Sequence, residues 1–238
     1  MRMNAVRMLS LVTVLILGQL AAASNISPVK SKPYGQSYGA WSARFWEWAF
    51  SLPVDAHPLF DTADCSAGQS GNVWFIGGTF AAIEISPGVI LGQADRECRI
   101  PSGTALFVPL INNECSSLEG NGETEEDLRE CANYFADFID PSSLFLIIDG
   151  KPVKNPASLR VDSPLSTYGP LPDNNLLGAP EGETSLFVAD GYHAIIPPLS
   201  VGTHTIEFGG VADYSSIGGP VFIQDISYTV TVVQKRKY

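Results

Sequence analysis

A chain of 238 residues with 25 acidic against 14 basic side chains, for a formal net charge of −11, suits neither nucleic acid nor an anionic membrane as partner, since both select a basic surface. The length supports a sizeable core in one large β domain. Four cysteines, an even number, predict two disulfides in an oxidising compartment, and the absence of a C-x-x-C pair argues against a four-cysteine zinc site.

The N-terminus reads as a leader. Arg2 and Arg7 precede the apolar run Met8 to Leu17, and Ala21-Ala22-Ala23 supplies small residues for cleavage, so residues 1–23 are expected to be a signal peptide. The remainder, 24–238, is then a secreted or periplasmic domain, and no later stretch approaches the ~20 apolar residues of a membrane span.

Ser37 to Leu52 predicts a helix. Trp41, Phe45, Trp48 and Leu52 form one apolar stripe, Trp46 and Phe50 lie off it, and Pro53 ends it. Rings on several sides suit packing between layers, or an aromatic platform for a sugar or lipid. Pro53 to Gly71 is an Asp/Pro/Gly loop carrying His57, Asp61, Asp64 and Cys65; its acids could take Ca²⁺, although the pattern is not that of an EF-hand loop. Val73 to Phe80 predicts a strand interrupted by Gly77-Gly78, with Ala81 to Ile85 continuing it.

Ala105 to Ile111 predicts a strand buried on both faces, leaving through polar Asn112-Asn113-Glu114. Cys98 and Cys115 stand at its ends. Of the three connectivities open to four cysteines, Cys65–Cys98 with Cys115–Cys131 staples local excursions onto this strand. Thr124 caps a second helix whose first turn holds Glu125, Glu126 and Asp127 and whose stripe runs Leu128, Cys131, Ala132, Phe135, Phe138, Ile139.

Short strands follow. Leu144 to Ile148 and Lys151 to Val153 flank the Asp149-Gly150 turn; Leu159–Val161, Ser185–Ala189, Tyr192–Ile196, Thr203–Phe208 and Val221–Val233 come next. Pro164 to Gly182 is a long proline-bearing loop, readable as a lid. The expected fold is mainly β: a single-domain β-sandwich or jelly roll with two covering helices.

A hairpin between Tyr192–Ile196 and Thr203–Phe208 would set His193 and His204 diagonally on one face, a placement that a one-residue slip destroys. Asp190-Gly191 marks a turn beside Tyr192 and His193. The candidate acid–base set is Glu114, His193 and Tyr192, with Asn113, Asp190 and His204 as ligand-binding neighbours. No G-x-S-x-G or H-E-x-x-H motif adds a nucleophile or a metal site.

Four stretches, W-S-A-R-F-W-E-W (41–48), C-S-A-G-Q-S-G-N-V-W-F-I-G-G-T-F (65–80), R-E-C-R-I-P-S-G-T-A-L-F-V-P-L-I-N-N-E-C (96–115) and D-G-Y-H-A-I-I-P-P-L-S-V-G-T-H-T-I-E-F-G-G (190–210), together resemble a family of exported, mostly bacterial proteins of unknown function. The resemblance spans most of the chain after the leader. It implies export and one domain, and brings no activity or functional residues. Three readings follow: a secreted binding protein for a carbohydrate or cell-surface component; a hydrolase or lyase using Glu, His and Tyr; and a Ca²⁺-stabilised structural protein.

Overall fold

The computed structural model describes residues 26–234, so the leader at 1–23 lies outside the described residues. In chain order the elements are α1 (Tyr38–Phe50), β1 (Val73–Phe75), β2 (Ile83–Ser86), β3 (Val89–Pro101), β4 (Ala105–Ser116), α2 (Glu125–Ala136), β5 (Phe145–Ile148), β6 (Lys151–Pro152), β7 (Arg160–Asp162), β8 (Ser166–Tyr168), β9 (Ser185–Ile196), β10 (Gly202–Asp213) and β11 (Val221–Val233). The strands form two sheets, ordered β1-β4-β9-β7 with β8 also on β9, and β2-β3-β11-β10-β5-β6. The fold is therefore mainly β, a two-sheet sandwich with two helices and both expected disulfides, Cys65–Cys98 and Cys115–Cys131.

The apolar run around Leu106 fixes the layering. Leu106, Val108 and Leu110 enter the core between the sheets, where they meet Ile206, Phe208, Ile226 and Val230; Ala105 and Phe107 face α1. A strand with a partner layer on each side has to be apolar at every position. The helix buries aromatic rings on several sides because it lies in a trough walled by β4, β9 and the loops either side of it: Phe45 meets Phe107, and Phe50 meets Tyr168 at 4.2 Å between ring centres. Ser37 caps it by accepting from Ala40 N. Thr124 and Asp127 form a capping box on α2, which buries Leu128 and Ala132 beside Cys115 and Val188 and Ala136 against the core between the sheets.

Several boundaries differ from expectation for identifiable reasons. The strand after Val73 stops at Phe75, because Gly77 and Gly78 turn their carbonyls to Arg96 Nη1, 3.2 and 2.8 Å away. β3 is a full strand with an inward alternation of Ala94, Arg96, Cys98 and Ile100; the inward arginine, which pairs with Asp61 and Tyr228 Oη, disguises the apolar period. Asn112 to Glu114 do not form an exit but continue β4 past a bulge between Pro109 and Ile111.

The expected hairpin between Tyr192–Ile196 and Thr203–Phe208 does not form. The first segment pairs with β4 in one sheet; the second pairs with β11 and β5 in the other, and the intervening prolines carry the chain between layers. Asp190-Gly191 is not a turn but the middle of β9, where Gly191 (φ +151°) passes so close to Asn112 that a Cβ would lie 2.5 Å from it. The long loop before β9 packs Leu171 and Leu177 against the cluster under α1 and is braced by the Asn175 side chain, which bonds Pro172 O, Ala179 O, Leu177 N and Ala179 N.

Candidate functional site

Alternation along β9 sorts the predicted residues. Phe187, Ala189 and Ile195 face α1, so Gly191 and His193 do as well; Val188, Asp190, Tyr192 and Ala194 face α2 and the second sheet. On β4 the bulge puts Asn113 and Cys115 on the α2 side and Asn112 and Glu114 on the α1 side. Glu114 and His193 thus share a covered face. Glu114 stands opposite Ala189 and His193 lies four residues farther along, about 13 Å at strand rise. Neither ring nitrogen of His193 has a hydrogen-bond partner, so the two do not meet.

His193 is fully buried and its ring lies on that of Phe107 at 5.2 Å. Desolvation pulls its pKa down to about 3, so the ring is neutral at ordinary pH. Tyr192 points the other way, into the core between the sheets. Asp190 is held by Arg160 (Nη2 to Oδ2 2.7 Å, Nε to Oδ2 3.0 Å), which also reaches Asp137 and Asn133 O at the end of α2. Asn113 donates to Ala132 O at 3.0 Å. Both residues fasten α2 to the sheet.

His204 lies in the second sheet. Its Nδ1 is 2.8 Å from Asp149 Oδ2 and its Nε2 is 3.0 Å from Ser200 O, an arrangement that pins the Asp149-Gly150 turn. His57, buried beneath Trp48, places Nε2 against Ala49 O and accepts from Leu59 N at Nδ1, a satisfied structural histidine. Asp61 is occupied by Arg96, and Asp64 caps Ser66.

Glu119 lies in the turn that follows β4, outside the residues that the sequence pattern singles out. The turn after β4 brings it back to Glu114, whose Oε2 is sealed from solvent. Burial first, then the hydrogen bond and negative charge of Glu119, push the Glu114 carboxyl well above the usual range. Burial and the neighbouring Glu119 thus both favour the protonated form of the Glu114 carboxyl. Tyr168 Oη donates to Ser116 Oγ at 2.9 Å, and Ser116 Oγ donates to Glu119 Oε2 at 2.7 Å, so the pair ends a chain of hydroxyls. No spacing rule points to Glu119; only the turn geometry joins them.

An open concavity runs along α1. Trp41, Arg44, Glu47 and Trp48 on the helix, with Gly68, Ser70 and Phe75 opposite, line a groove of about 370 Å³, within the size range of small-molecule sites. Its floor is rigid. Trp41 Nε1 donates to Pro33 O, Trp48 Nε1 donates to Ala67 O, and Phe75 stacks on Trp48 at 5.6 Å. Gly68 (φ +67°) passes so near the indole of Trp48 that a Cβ would lie 2.9 Å from its nitrogen. The Cys65–Cys98 bridge ties this wall to β3. Among the described residues, the side chains of Arg44 and Glu47 have no ion-pair or hydrogen-bond partner, so both are free to meet a ligand.

The arrangement is that of a disulfide-stapled two-sheet sandwich with an aromatic groove along its covering helix. No protein-family model, no curated protein and no solved structure matches the chain.

Proposed function

We propose that the protein is an exported binding protein that takes a small saccharide or similar polyhydroxylated ligand in the groove along α1. The observation that carries this reading is the unengaged Arg44–Glu47 pair over a floor of Trp41, Trp48 and Phe75. A guanidinium and a carboxylate side by side offer donors and acceptors to adjacent hydroxyls, and the ring edges offer contact to C–H groups. The tryptophans are buried or half-buried, with Trp41 9% and Trp48 5% exposed. They therefore act as a floor, not as stacking platforms, which suits a short ligand held edge-on. Two disulfides, the leader-like N-terminus and the acidic composition support export and argue against nucleic acid. Among the described residues no helix is long and apolar enough to cross a membrane.

The test is a saccharide panel titrated against the chain by tryptophan fluorescence and calorimetry. A saturable signal with one class of sugar, lost in Arg44→Ala and Glu47→Gln, supports the proposal. No saturable sugar, or one indifferent to both variants, sinks it.

The Glu114–Glu119 pair favours a second reading, a hydrolase or lyase. A carboxyl whose protonated form is favoured by burial, set beside a second carboxyl, is the kind of group a general acid requires. His193 and Tyr192 face different cores and do not join it. Turnover of a chromogenic glycoside or ester, abolished by Glu114→Gln, would establish this version; an inactive wild type across the panel would remove it.

A further inference from the structure

The second sheet has an outward face that no element covers among the described residues, and its chemistry is uneven. Inward positions on β3, β10 and β11 carry Cys98, Ile100, Ile206, Phe208, Ile226 and Val230, so the alternate residues look outward. Most outward rungs are polar, for example Asp95–Ser227–Glu207 and Glu97–Thr229–Thr205. One rung is apolar across four strands: Ile83 on β2, Leu91 on β3, Ile223 on β11 and Val211 on β10. Ile83 is 62% exposed and the other three are half-buried.

The apolar strip continues past the sheet. Asp140 N donates to Val211 O and Asp213 N to Phe138 O, around the bridge between Ile139 and Ala212. Ile139 and Ala212 point inward, so Phe138 and Asp140 share the outward side with Val211 and Asp213. Phe138 lies 5.5 Å from Tyr214 and 5.2 Å from Tyr134, which is 50% exposed. An apolar and aromatic strip of this extent on an exposed face marks an interaction surface.

Charge decides what fits it. Asp140 and Asp213 stand in the strip; each caps a turn through Oδ1, and both residues are exposed. The hydroxyl and amide donors of those turns hold both carboxyls below the usual range, so both are ionised. Asp225 occupies the next rung. The outward positions of β10 hold no lysine or arginine, and the first on β3 is Arg99, eight residues from Leu91 or about 26 Å away. Acidic groups set into an apolar strip repel anionic lipid and nucleic acid and leave a second copy facing its own charge.

We propose that this strip docks a basic amphipathic segment of a protein partner, its apolar side chains on Ile223, Leu91 and Phe138 and its lysines or arginines on Asp140, Asp213 and the rings of Tyr134 and Tyr214. The surface lies across the sandwich from the α1 groove and is independent of it. Cation–π contact and charge pairing act together where rings and carboxylates alternate in this way.

The probe is a synthetic peptide alternating lysine with leucine, titrated into the full chain at about 0.15 M salt, where long-range attraction is screened. Saturable binding is expected, with a Kd raised at least about tenfold by Ile223→Thr with Phe138→Ser, and by Asp140→Asn with Asp213→Asn, which keeps the turn caps. The pair Asp95→Asn with Glu97→Gln, on the polar end of the same face, should leave the Kd unchanged. Circular dichroism and the urea midpoint report folding of each variant. Absence of saturable binding overturns the proposal, and so does equal weakening by the Asp95/Glu97 pair, which would show diffuse attraction to an acidic chain. A concentration-dependent dimer that Ile223→Thr makes monomeric overturns it too, because the strip is then closed by a second copy.

Discussion

His193 and Glu114 occupy the same covered face of one sheet and titrate in opposite senses. The His193 pKa falls from about 6.5 in the unfolded chain to about 3 in the fold. Between those values the unfolded state binds the proton that the native state refuses, so stability is lost as pH drops from about 6.5 to about 3, by about 4–5 kcal/mol in all. Glu114 is raised, so its contribution is whole below about pH 4.5 and is lost as pH climbs towards its folded value. His193→Leu should flatten the acid limb of a urea-midpoint profile. It should also raise stability at pH 5, because it removes two ring nitrogens that lack partners. Glu114→Gln keeps a donor for Glu119 and should flatten the other limb, with stability at pH 8 equal to or above that of the wild type. Profiles of both variants running parallel to the wild type would contradict these assignments.

Among the elements, α2 shows how one side chain joins three segments. Arg160, at the start of β7, binds Asp190 on β9 and Asp137 beyond the end of α2. The two pairs are not equal: the Asp190 side chain is 3% exposed and that of Asp137 is 68% exposed. Exposed pairs contribute about 0–1 kcal/mol, whereas stranding a buried carboxylate costs about 3–5 kcal/mol. Arg160→Ala should therefore lower unfolding stability by about 3 kcal/mol or more, Asp190→Asn by less, and Asp137→Asn hardly at all; a comparable loss for Asp137→Asn would reverse this ranking.

The same elements show what periodicity can and cannot reveal. Both helices were legible from their apolar stripes, the first also from Pro53 and the second from its Thr124 cap, and so were the apolar half of β4 and the disulfide pairing. β3 was hidden by an inward Arg96 whose partners come from the Gly77-Gly78 segment and Asp61. The layer that each late strand joins depends on the crossing after Ile196, which no local signal marks. His204 is parted from His193 for that reason, since their shared face required a hairpin, whereas Glu114 is parted from His193 by four residues of strand and Tyr192 by alternation. Glu119 and the Arg44–Glu47 groove become visible only once turns and layers are placed.

Across the whole molecule the two disulfides hold different things, and their removal should separate fold from binding. Cys115 and Cys131 are 16 residues apart, and Cys65 and Cys98 are 33 apart. Loop-closure entropy then assigns them about 3 and about 4 kcal/mol. The first joins α2 to β4, a contact that Arg160, Asp190 and Asn113 also secure. The second ties Cys65, three residues before Gly68, to β3 and so fixes one wall of the groove over Trp48. Cys115→Ser with Cys131→Ser should therefore lower the urea midpoint while leaving intact the fluorescence response of Trp41 and Trp48 to the saccharide proposed for the groove. Cys65→Ser with Cys98→Ser should cost slightly more stability and, unlike the first pair, weaken ligand binding in the chain that remains folded. If both pairs change binding alike, the groove wall is held by the sandwich as a whole and not by its own bridge.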